Sequence, residues 1–126
     1  MQLHRGLEVW RRSHALAVRV YHLTAGDLLA QEPWQVDQVR RSTESIADNI
    51  AEGRAAHTDG IYLRHIGYAC ASAGEADGQV RRFLEKKQLS PENAFELLDD
   101  LAVVRRQLLK LELAVRHRAK PRRRKP

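Results

Sequence analysis

Six cations stand near the end of this chain with no acid among them: Arg118, Lys120, Arg122, Arg123, Arg124 and Lys125. Such groups neutralise phosphates and release their counterions, an attraction indifferent to base sequence. If all six engaged duplex DNA, log K would fall against log salt with a slope of about −5, at ~−0.9 per phosphate. The segment has no aromatic side chain on which a base could stack, so RNA or DNA binding here is expected to be nonspecific. Pro121 and Pro126, with the mutual repulsion of the cations, predict a disordered basic arm over residues 118–126. A solubilising tail and attraction to an anionic membrane surface are the competing readings.

The other chemically capable groups point away from catalysis. The six histidines are His4, His14, His22, His57, His65 and His117. None pairs at the i, i+4 spacing of a helical metal site, and no Glu-x-x-His occurs, so neither a metal nor a cofactor is expected. There is no glycine-rich phosphate loop, no Gly-x-Ser-x-Gly and no paired-cysteine motif, and no enzymatic activity is expected. Cys70 is the single cysteine. It excludes an internal disulfide and reads as small buried filler in a reducing, cytoplasmic compartment. Glu44, Asp48 and Glu52 share a helix surface, which more often serves solubility than acid–base work. Arg40 and Arg41 could hold a phosphate, but Arg40 precedes Glu44 by four residues and Arg41 follows Asp37 by four, so intrahelical ion pairs are expected. Asn49 and Glu52 read as interface or capping groups.

These residues need helices to position them. The chain has 126 residues, few glycines and prolines, and abundant Leu, Ala, Arg and Glu. That suits one all-helical domain, and no apolar window is long enough for a membrane span. Removing the six terminal cations from the 22 Lys and Arg leaves a body whose basic residues balance its 16 Asp and Glu. Hydrophobic periodicity predicts four helices, over about 7–29, 34–53, 59–87 and 91–117, in a domain spanning 1–117. Pro33 suits a first turn, Gly53 a C-terminal cap, Thr58 an N-cap, and Ser90-Pro91 an N-cap followed by proline. Short links between consecutive helices imply an antiparallel up-down-up-down four-helix bundle.

Two helices carry more than a core stripe. In the second, Val36, Val39, Thr43, Ile46 and Ile50 form an apolar face. Beside it run Gln38, Ser42, Ser45, Asn49 and Glu52, mostly short and uncharged. That polar stripe, with Arg41, reads as a hydrogen-bonded seam against another helix or a neighbouring subunit. In the fourth helix, Leu97, Leu101, Val104, Leu108, Leu111 and Val115 form the core seam. Leu98, Ala102, Leu109 and Leu113 form a second one, which suggests contact with something outside the bundle. Gly67, Ala71, Gly74 and Gly78 make a small-residue stripe on the third helix, as for close approach of another backbone. Trp10, Tyr21, Tyr62 and Phe83 sit on apolar stripes and are expected in the core.

Leu7-Glu8-Val9-Trp10, Val20-Tyr21, Leu23-Thr24, Gln38-Val39-Arg40-Arg41, Ser45-Ile46 and Asn49-Ile50-Ala51-Glu52-Gly53 together resemble the bacterial four-helix bundle family, also called intervening-sequence proteins. The resemblance covers about residues 7–85. Where the family usually has Phe-Leu and Gly-Ser…Glu-Leu in its third helix, this chain has His65-Ile66 and Ala71-Ser72…Glu75-Ala76. The resemblance implies a cytoplasmic bundle assembling as a homo-oligomeric ring, often a pentamer, with no established enzymatic activity. More distantly, the chain resembles the basic pentameric accessory proteins of diversity-generating retroelements, which bind a reverse transcriptase and nucleic acid. The expected function is a non-enzymatic oligomeric scaffold binding RNA or DNA through its arms, with the polar stripe of the second helix (Gln38, Arg41, Ser42, Ser45, Asn49 and Glu52) and the second seam of the fourth (Leu98, Ala102, Leu109 and Leu113) making the subunit contacts. The alternative is a protein–protein adaptor with no nucleic-acid role.

Overall fold

The computed structural model describes residues 3–119, and among them helix is the only regular element. Five helices follow one another: α1 His4–Leu23, α2 Asp27–Gln31, α3 Pro33–Ala55, α4 Asp59–Glu85 and α5 Pro91–Ala119. The four long ones form a bundle in which α1 packs against α3 and α5, and α4 against α3 and α5. The short helix α2, five residues long, rests on α3.

Each boundary has a local cause. The single helix expected over 7–29 is broken in two. The chain turns at Gly26, whose φ of 68° lies in the left-handed region that glycine enters without a Cβ clash. Thr24 ends α1 in a buried position, its hydroxyl donating back to Val20 O at 2.6 Å. Leu28 is buried and pins α2. Pro33 opens α3, as its spacing predicts. Thr58 caps α4, its Oγ1 accepting from Ile61 N at 3.1 Å. Ser90 Oγ accepts from Asn93 N at 3.1 Å, and Pro91 begins α5.

Helix α4 ends in a Schellman arrangement with Lys87 at the left-handed position, φ 58°. Lys87 N bonds Leu84 O at 3.0 Å and Gln88 N bonds Phe83 O at 2.9 Å, satisfying carbonyls that the helix end leaves bare. Glycine is the usual occupant of that position.

The core is the expected set of stripes. Val36, Val39, Thr43, Ile46 and Ile50 are buried on α3, and Leu101, Val104, Leu108, Leu111 and Val115 on α5. Tyr62 and Phe83 are buried with the α4 stripe, and Trp10 packs against the core partly covered. Tyr21 departs from expectation and is 51% exposed. Its ring leaves the core to carry the Arg40 guanidinium, whose central carbon sits 4.2 Å from the ring centre.

Candidate assembly and nucleic-acid interface

The polar stripe of α3 faces α4. Ser72 Oγ donates to Ser45 Oγ at 2.9 Å, and Asn49 Nδ2 donates to Ser45 O at 2.9 Å. Asn49 Oδ1 lies 3.0 Å from His65 Nδ1, which is 3.4 Å from Glu52 Oε2. Ser42 Oγ donates to Gln38 O at 3.0 Å, and reaches Glu75 Oε2 at 3.5 Å. The stripe expected at a subunit contact thus makes these bonds to a helix of its own chain. Short side chains are needed because each must bond without holding the helices apart. His65, which stands in the departure from the family pattern, is the α4 contribution to the lower half.

The two arginines of α3 divide. Arg41 Nε bonds Asp37 Oδ2 at 2.9 Å, the expected i, i+4 pair. Arg40 has a different partner from the expected Glu44. Its Nε donates to Thr24 Oγ1 at 3.0 Å and its Nη2 to Tyr21 O at 3.1 Å. A cation thus sits at the C-terminal end of α1, where unpaired carbonyls gather negative potential. Nothing in the local spacing of α3 announces a partner 16 residues earlier, so this role was invisible in the sequence.

Gly53 lies inside α3, which continues to Ala55, so it does not cap the helix. A Cβ on Gly53 would stand 2.6 Å from Tyr62 Cδ1 and 3.1 Å from His65 Cβ. A Cβ on Gly6 would strike the Tyr62 hydroxyl. The two glycines are the clearance for one ring, which joins α1, α3 and α4. Burial raises the Tyr62 pKa, against the opposing influence of Arg54 and Arg118. Cys70 is half-buried, and burial together with Glu112 raises its pKa, which disfavours the reactive thiolate.

Among the described residues no helix backbone closes on the glycines of α4. Gly67 and Gly78 would meet nothing within 4 Å if given a Cβ, and Gly74 would meet only the Arg105 Nη2 at 3.9 Å. Their stripe lies on the outer α4–α5 side rather than against a helix of this chain. On the same side, Ala102 is exposed, Leu109 is 56% exposed and Leu113 is 68% exposed, while Leu98 is buried. Three of the four members of the second α5 seam therefore face outward.

Arg118, expected to begin the arm, belongs to the last turn of α5. Its Nη2 bonds Asp59 Oδ1 at 2.6 Å and its Nε bonds Asp59 Oδ2 at 3.3 Å, tying the end of α5 to the start of α4. Lys120, Arg122, Arg123, Arg124 and Lys125 lie outside the described residues. Among the described residues no cluster of His, Cys, Asp or Glu could hold a metal ion. None of the described helices is long and apolar enough to cross a membrane.

The fold matches a crystal structure from Bacteroides thetaiotaomicron VPI-5482, a protein of unknown function from the S23 ribosomal protein family. The TM-score is 0.79 at 20% identity, over 86% of this chain and 98% of that one. That likeness concerns the fold alone. No curated protein matches the sequence. The model of the 23S rRNA-intervening sequence protein family matches residues 5–110, which takes in the α3 seam, Gly53 and most of α5. Over that span the chain belongs to the family of 23S rRNA-intervening sequence proteins.

Proposed function

We propose that this protein is a non-enzymatic, homo-oligomeric scaffold that binds RNA or DNA nonspecifically through its basic C-terminal arms. The observation that carries the reading is the outward stripe of Ala102, Leu109 and Leu113 on α5, apolar and uncovered by the chain's own helices. Leucines this exposed lose favourable burial worth about 1.5–3 kcal/mol each, which a second copy would restore. Assembly then gathers several arms, and tethered sites raise avidity without any new contact. The cations of residues 118–126 supply the chain's whole excess charge, and phosphate backbones are their natural counterpart.

The test is fluorescence anisotropy with labelled RNA and duplex DNA across a salt series, comparing the full chain with one ending at Ala119, which keeps the Arg118–Asp59 tie. Salt-steep binding that disappears on truncation supports the reading. Absence of binding by the full, assembled chain would reject the nucleic-acid role and favour a protein–protein adaptor.

A further inference from the structure

Arg19, Arg41, Arg81, Arg116 and Arg118 each hold a carboxylate. The face between α1 and α5 differs. Arg5, Arg11 and Arg12 on α1, with Arg106 and Lys110 on α5, are exposed, and none has an ion-pair or hydrogen-bond partner among the described residues. An open cleft joins the two helices there, lined by Glu8, Arg11, Arg12, Ala15 and Gln107. Glu8 is the one acid of that lining. On the same side of α5, Asp99 stands about two turns before Arg106, and Glu96 and Asp100 are engaged by Arg19. Arg19 meets Asp100 while Arg12 shares the cleft with Gln107, so the two helices run antiparallel. Arg5 therefore lies toward the end of α5, from which the chain goes on into Lys120, Arg122, Arg123, Arg124 and Lys125.

We infer that this face of the folded body seats the phosphate backbone of a double helix beside the arms. This deepens the nucleic-acid reading proposed above and rests on it. Five like charges around one carboxylate repel each other, and a polyanion relieves that repulsion while releasing its own counterions. The spacing fits as well. Arg5 and Arg12 stand seven residues apart on α1, a rise of about 10 Å, and one strand of a duplex carries a phosphate every ~3.4 Å along its axis. A helix lying on an anionic membrane would pair its cations with an exposed apolar stripe. The apolar stripe of α1, Val9, Leu16 and Val20, is buried in the core instead. The cleft lining holds no aromatic ring on which a base could stack, so contact is to the backbone. The arms capture the polyanion, and the face fixes it against the body.

Two full-length variants test it against the native chain. The α1 variant carries Arg5→Gln, Arg11→Gln and Arg12→Gln. The α4 variant carries Arg64→Gln, Arg81→Gln and Arg82→Gln, which removes the same charge from another face. All six positions are exposed and glutamine suits a helix, so circular dichroism should show both variants fully helical. Anisotropy with labelled duplex DNA across a salt series gives the slope of log K against log salt. The α1 variant is expected to be shallower than the native chain by about 2–3, at ~0.9 per lost phosphate contact, and the α4 variant to match the native slope. An α1 variant with the native slope overturns the inference and leaves the arms as the whole site. Equal flattening in both variants also overturns it, since net charge alone would then decide. A lower native mass for the α1 variant in analytical ultracentrifugation would assign the face to assembly and overturn it likewise. Absence of duplex binding by the native chain at any salt would instead overturn the nucleic-acid reading on which this one rests.

Discussion

At the scale of single residues, the informative positions are those where a general preference is overruled by one neighbour. Alanine normally improves a helix over glycine by about 0.5–1 kcal/mol. At Gly53 the added methyl would meet the Tyr62 ring at 2.6 Å, so the sign should reverse. Gly53→Ala is expected to destabilise the protein by about 1–3 kcal/mol in a urea titration, the usual cost of forcing a packed core apart. A gain in stability would show that the ring yields freely. Tyr62 also offers a test by pH. Burial raises its pKa above the ordinary value of 10.0, so the unfolded chain loses this proton first as pH rises. Its contribution is whole below that value and is lost progressively above it. Tyr62→Phe should therefore flatten the fall in stability through the alkaline range, which parallel thermal melts of the two chains would reveal. Among the described residues its buried hydroxyl has no hydrogen-bond partner, so the substitution removes little else.

At the scale of elements, helix ends follow local chemistry wherever a cap is adjacent in the chain. Thr58, Ser90 and Pro91 act where their spacing places them. Lys87 is the exception, holding a left-handed conformation that costs an L-residue about 1–2 kcal/mol. Lys87→Gly should raise stability by about 1 kcal/mol, and an unchanged denaturant midpoint would mean that the unfolded chain absorbs the gain. The α1 end is settled from a distance. Arg40 reaches it from α3, and Arg19 of α1 ties to Glu96 and to Asp100 of α5, the latter at 2.9 Å. Such cross-helix bonds depend on which helices become neighbours. That is why the i, i+4 expectation held for Arg41 and failed for Arg40.

At the scale of the whole molecule, adjacent residues of α5 should respond oppositely to the same change. Leu108 is fully buried and Leu109 is 56% exposed. Leu108→Asp places an unpaired charge in the core and should unfold the bundle, seen as lost helicity. Leu109→Asp should keep helicity and reduce the native mass. A soluble, fully helical Leu108→Asp chain would dismiss the core assignment, and an unchanged mass for Leu109→Asp would dismiss the outer surface.

The sequence by itself determined the helical class, the core stripes and the N-terminal caps, because burial periodicity and capping act over three or four residues. It also marked α5 as having one apolar seam more than a core requires. Only the tertiary structure decided where the other stripes are used. The polar stripe of α3 bonds Ser72 and His65 of α4, whereas the glycine stripe of α4 faces outward beside Leu109 and Leu113. Periodicity places residues on a face, but the partner of that face depends on the rotation of each helix about its axis. That rotation is set by the packing of all four long helices together.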